Sequence, residues 1–176
     1  MAVAGDGEAA RSARRRLEAL GARVDDLDDA VLADEAGAAE WARQRAPLHA
    51  LLVDVAGSFG PGGSEGLRRA LEGAWRAARA VATGALMETP DPGRLLLIAP
   101  RPDAGAHASA AGAALENLAR TLSVEWARYG ITAVAITPGP ATTAADVAEL
   151  TCFLVSRAGG YFSGCVFALG AASAAR

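Results

Sequence analysis

The stretch Ala113–Pro140, AALENLARTLSVEWARYGITAVAITPGP, decides the fold. Leu115, Leu118, Leu122 and Trp126 recur at helical spacing, so the first half reads as a helix with one apolar stripe. That helix reaches back to about His107, runs to Arg128 and closes at Gly130. Ile131–Thr137 (ITAVAIT) is almost continuously apolar, as expected of a strand covered on both faces. Pro138-Gly139-Pro140 then turns the chain.

The same alternation continues outward. Toward the N-terminus, Arg94–Ala99 (RLLLIA) and Leu48–Val55 (LHALLVDV) are further buried strands. Between them lie the breaking loop Gly57–Gly63 and a helix capped by Ser64, which passes Leu71, Trp75, Ala78 and Ala82 toward Met87. Further back, Met1–Ala4, Ala22–Leu27 and Ala30–Ala33 are short strand candidates, with helices over Glu8–Leu20 and Gly37–Arg45. Toward the C-terminus, Ala145–Val155 is helical, Cys165–Leu169 is a last strand, and the Ala-rich stretch after Gly170 is expected to fray. Strands alternating with helices imply an α/β chain with a parallel sheet, here as one domain over 1–176.

Composition narrows the chemistry. The chain has 176 residues, 52% of them hydrophobic and 21% charged, which excludes a disordered chain. All 17 basic residues are arginine. Without lysine there is no Schiff-base chemistry and no Walker-type phosphate loop. A net charge of −3 argues against nucleic acid as a partner, and the run Arg14-Arg15-Arg16 is offset by Glu8, Glu18 and the aspartates near Asp25. Cys152 and Cys165 have no metal-ligand spacing and read as reduced core thiols. No apolar run is long enough to span a membrane and no signal pattern opens the chain, so a cytoplasmic protein is expected.

With these segments in place, the chain resembles the short-chain dehydrogenase/reductase family over nearly its whole length. Ala113–Pro140 is similar to that family's long dimerisation helix, sixth strand and Pro-Gly turn. LLVDVAG (Leu51–Gly57) stands where the family has a strand ending in Asn-Asn-Ala-Gly, with Asp54 at the first Asn. GRLLLIAP (Gly93–Pro100) resembles the serine-bearing strand, and Asp146–Gly170 the closing segment. The resemblance implies a Rossmann-like doubly wound parallel sheet with helices on both faces, truncated relative to the family.

It also implies hydride transfer with a nicotinamide. In the family a tyrosine acts as acid/base, a lysine lowers its pKa and holds the ribose, a serine polarises the carbonyl, and an asparagine holds a relay water. Carried onto this sequence, the tyrosine position is Ala108, the lysine position Gly112, the serine position Pro100 (or Ala99), and the asparagine position Ala70. All four lack a group that can titrate or donate. The family's glycine-rich phosphate loop is reduced to the remnants Gly5 and Gly7, with Ala10 at the third glycine and Asp6 and Glu8 adding negative charge. The helix between the second and third strands is expected to be deleted, and the substrate lid is cut to Ala141–Ala145. Gly57, Pro138 and Gly139 persist as further remnants.

Other chemistry-bearing residues read as structural. His107, beside Ser109, has no acidic partner nearby in sequence and reads as a helix-start residue; His49 opens a buried strand. Tyr129, Tyr161 and Asp54 are assigned to packing and strand ends. The expected function is therefore a non-catalytic subunit that assembles with an active paralogue of this family, or with itself, and no cofactor is expected. The resemblance places its contacts on the two long helices and the last strand: Leu71, Trp75, Arg79, Leu122, Trp126, Tyr161, Phe162 and Phe167. Two alternatives stand: a residual NAD(P)-dependent oxidoreductase of ketoacyl-reductase or alcohol-dehydrogenase type, and a ligand-sensing Rossmann module.

Overall fold

The computed structural model describes residues 1–170, so the expected fraying tail lies outside the described residues. Six strands, β1 (Ala2–Ala4), β2 (Asp25–Leu27), β3 (Ala50–Asp54), β4 (Arg94–Ile98), β5 (Thr132–Pro138) and β6 (Cys165–Leu169), form one sheet. Their order is β2-β1-β3-β4-β5-β6 and every pairing is parallel. The chain steps from β1 to β2 on one side and then crosses back to β3 on the other. A crevice at such a reversal, outside the carboxyl ends of the strands, is where doubly wound folds bind ligands.

Helices cover both faces, and strand periodicity sorts the side chains between them. Leu52, Leu96, Ile98, Val134 and Ile136 pack with α1 (Glu8–Ala19) and α7 (Ala144–Val155). Their neighbours Leu51, Val53, Leu95, Leu97, Ala133 and Ala135 point the other way, onto α3 (Glu35–Gln44), α5 (Gly63–Gly84) and α6 (Ala108–Glu125). The second layer is built largely from alanine, with Ala70, Ala74, Ala77, Ala78 and Ala82 of α5 fully buried. Small side chains let that helix lie close on the sheet. At the start of α7, Thr143 and Asp146 form a reciprocal capping box, which fixes where the chain leaves the Pro138 turn.

Three local expectations are corrected. Ala30–Ala33 is not a strand: Asp29–Leu32 is a single helical turn, α2, so the family's helical connection is shortened rather than deleted. Ser64 does not cap α5. Gly62 and Gly63 both take positive φ, the helix begins at Gly63, and Gly62 bridges to Ala106 in a second loop. Cys152 and Cys165 are unpaired but only half-buried, because α7 and the edge strand β6 are incompletely covered.

Candidate functional site

Between β1 and α1 the loop is reduced to Gly5-Asp6-Gly7, and it closes around one buried carboxylate. Asp54, at the end of β3, is 1% exposed. Its Oδ2 accepts from Ala10 N of the first turn of α1 at 2.9 Å, and its Oδ1 accepts from Ala56 N at 3.0 Å. Burial holds its carboxyl above the ordinary carboxylate value, against the pull of those two amide donors. The glycine remnants belong to the same cluster. A Cβ on Gly5, whose φ is +92°, would fall 2.0 Å from the Asp54 carbonyl oxygen, and one on Gly7 would fall 2.1 Å from Asp54 Oδ2. Gly57, in the single helical turn α4 (Ala56–Phe59), lies against the Asp6 carboxylate in the same way.

Two clefts open from this point. One, of about 360 Å³, runs along α1 and is lined by Gly5, Asp6, Arg11, Arg14 and the aspartates Asp26, Asp28 and Asp29. The other, of about 440 Å³, lies over α5. Asp28 and Asp29 are exposed, and neither side chain is engaged in a hydrogen bond or ion pair among the described residues. Free carboxylates at the end of the second strand suit the hydroxyls of a ribose. Sequence reasoning missed Asp28; the available signal was an acidic residue about 20 positions beyond a glycine loop. This end of the crevice therefore offers two free carboxylates to a ligand's hydroxyls. At the diphosphate end, Asp54 already occupies one amide of the α1 N-terminus, and Arg11 is the nearby cation, donating to the Asp6 carbonyl.

The positions assigned to catalysis converge on α6 and the end of β4. Ala108 and Gly112 are both buried, and a Cβ on Gly112 would be 3.9 Å from the Ala99 Cβ. Pro100 is buried beside Ala99, whereas Ala70 sits within the α5 core. None can donate or accept a proton through its side chain. A small cleft of about 100 Å³ remains nearby, between Asp54, Ala99 and Pro138. Arg101 closes its rim by donating to the Thr142 carbonyl at 2.8 Å and to the Pro140 carbonyl. Gly139 donates its N–H to the Leu169 carbonyl at 2.8 Å, and a Cβ on it would fall 2.5 Å from the same oxygen. His107 opens α6 in the left-handed region, with φ of 69°, and is exposed.

Comparison with protein-family models and with curated proteins gives no match. Solved structures do match. A short-chain dehydrogenase/reductase family oxidoreductase from Burkholderia thailandensis has a TM-score of 0.76 at 22% identity, covering 95% of this chain and 89% of that one. A Brucella ovis oxidoreductase of the same family, in complex with a partially ordered NAD, has a TM-score of 0.71 at 19% identity, with 95% and 97% covered. A putative oxidoreductase from Escherichia coli K-12 has a TM-score of 0.73 at 19% identity, with 96% and 93% covered. The fold is that of the short-chain dehydrogenases/reductases. The expectation that no cofactor binds is corrected: a solved structure of this fold, the Brucella ovis oxidoreductase, holds a partially ordered NAD, and this chain keeps a crevice at its own switch point.

Two expected contact residues of this short-chain dehydrogenase/reductase fold are also corrected. Leu122 and Trp126 are 3% and 9% exposed, because the apolar stripe of α6 faces the chain's own core. Trp75 remains 42% exposed on α5, flanked by half-buried Leu71 and by Arg79, which pairs with Glu35 at 2.7 Å. Tyr161, assigned above to packing, is 94% exposed. Beside it Phe162 meets Phe153 at a tilt and Phe167 edge-on, with ring centroids 5.8 and 5.3 Å apart.

Proposed function

We propose that this chain is a redox-silent subunit of short-chain dehydrogenase/reductase fold. It pairs with an active paralogue of that fold through α5, α6 and the β6 edge, and it holds an adenine dinucleotide by the adenosine end. The observation that carries this reading is the absence of a proton-transferring side chain at Ala108, Gly112, Ala99–Pro100 and Ala70, beside an intact sheet and crevice. The nicotinamide supplies hydride chemistry when such a cofactor is bound. Here the chain's own groups hold the ribose, through Asp28 and Asp29, and turn the strand into the helix at Gly5 and Gly7. Exposed Trp75 and Tyr161 give the pairing surface aromatic anchors.

The test is co-expression with a full-length short-chain dehydrogenase/reductase encoded beside it, followed by co-purification and size exclusion. A stable complex is expected, and Trp75→Glu is expected to dissolve it while leaving the circular dichroism unchanged, because Trp75 is not part of the core. A chain that elutes as a lone monomer with and without the candidate partner would remove the assembly half of the proposal.

A residual oxidoreductase has one observation in its favour: Asp54 is an acid of raised pKa beside the small cleft at Pro138. Both of its oxygens, however, are taken by the amides of Ala10 and Ala56.

A further inference from the structure

The amino-terminal ends of the central strands, opposite the crevice, carry an unmatched cation. Strand β4 opens on Arg94, whose Nη1 donates to the Gly93 carbonyl at 3.1 Å. Its Nε is buried and has no partner among the described residues. The 3₁₀ turn Ala158–Tyr161 is moulded to this guanidinium: a Cβ on Gly160 would lie 2.5 Å from Arg94 Nη2. Burial with no compensating carboxylate lowers its pKa below the ordinary arginine value. A guanidinium held with no acidic partner is a cost to the fold that an anion in the adjoining cleft would offset.

Arginine pairing elsewhere makes the location informative. Among the described residues, only Arg11, Arg15, Arg94, Arg128 and Arg157 form no ion pair with an acidic side chain. Two of those five, Arg94 and Arg157, line one cleft of about 520 Å³, together with His49 and Ser156. Asp91 is the acidic lining residue, and it lies toward His49, with Oδ2 3.9 Å from Nδ1. The cleft is separated from the nucleotide crevice by the length of the central strands, about 15 Å.

We propose that this cleft binds a small oxyanion, the phosphate or carboxylate group of a metabolite, gripped by the guanidinium groups of Arg94 and Arg157 with His49 as a third contact. Planar forks that meet two oxygens at once are the arrangement by which arginine recognises both groups. The cleft is larger than the anion alone, so it leaves room for the remainder of the molecule.

The experiment titrates the full chain with inorganic phosphate and, separately, with acetate, at ionic strength held constant with sodium chloride. Melting temperature and calorimetric heat are read together. Saturable stabilisation by at least one of the two anions is expected. Phosphate alone points to a phosphate ester; acetate as well points to the oxyanion group in general. Arg157→Ala, at an exposed position, is expected to weaken the apparent Kd about tenfold or more, as loss of a charge-assisted hydrogen bond does. Arg94→Lys, which keeps the charge but removes the planar fork, is expected to weaken it as well, whereas Arg15→Ala on α1 is not. No saturable effect from either anion, or one that both cleft variants leave unchanged, overturns the proposal.

Discussion

The purified chain, mixed with NADH or NADPH and a panel of ketones and aldehydes, is expected to turn over more slowly than an active short-chain dehydrogenase/reductase by about 10⁴-fold or more, because a positioned acid/base alone contributes about 10²–10⁴-fold and the rest of the set is missing too. Loss of reduced-nicotinamide absorbance measures it. A catalytic set that acts as a unit loses most of its effect when one member goes, and here every position that would hold such a member is Ala, Gly or Pro. The same sample should nevertheless quench or enhance nicotinamide fluorescence on binding, and Asp28→Ala should weaken that binding about tenfold. Binding without turnover supports a redox-silent subunit. Turnover within a hundredfold of an active relative would overturn it and shift attention to Asp54.

How far the sequence foretold this arrangement depends on what each residue reveals alone. Leu51–Val53, Leu95–Ile98 and Ala133–Ile136 were legible as strands because burial on both faces requires continuous apolar runs. The same continuity hid which side chain faced which layer. The run Ala30–Ala33 was misread because a short apolar segment carries no period, and Asp28–Asp29 before it opens a helical turn instead. The stripe Leu115, Leu118, Leu122 and Trp126 was correctly seen as a stripe, yet spacing alone cannot say whether it meets a partner or its own sheet. Arg94 was invisible for a different reason. In a chain whose every cation is arginine, only the three-dimensional pairing shows which one has no acid beside it.

Asp54→Ala is expected to destabilise the chain by about 2–4 kcal/mol, since it strands the buried amide of Ala10 and releases the part-buried amide of Ala56. For a chain of this length that lowers Tm by roughly 5–15 °C. The loss is tempered by removal of a carboxylate that is itself costly to bury, which is why its pKa is raised. The sign of the pH effect follows from that direction. A carboxyl whose folded pKa exceeds its unfolded value stabilises the fold fully below the unfolded value, near 3.8, and loses that contribution as pH rises through the folded value. The unaltered chain should therefore lose a component of stability as pH rises from about 3.8 through its Asp54 titration, and Asp54→Ala should lack that component. Denaturant melts across mildly acidic to neutral pH would show the two curves converging as pH rises. Curves that diverge as pH rises would mean that the amide bonds, rather than burial, govern this carboxyl, and parallel curves that the two cancel. Its place as the anion that joins α1 to β3 makes the distinction consequential. The same two amides that Asp54 satisfies fix the turn on which any nucleotide at this crevice would lie.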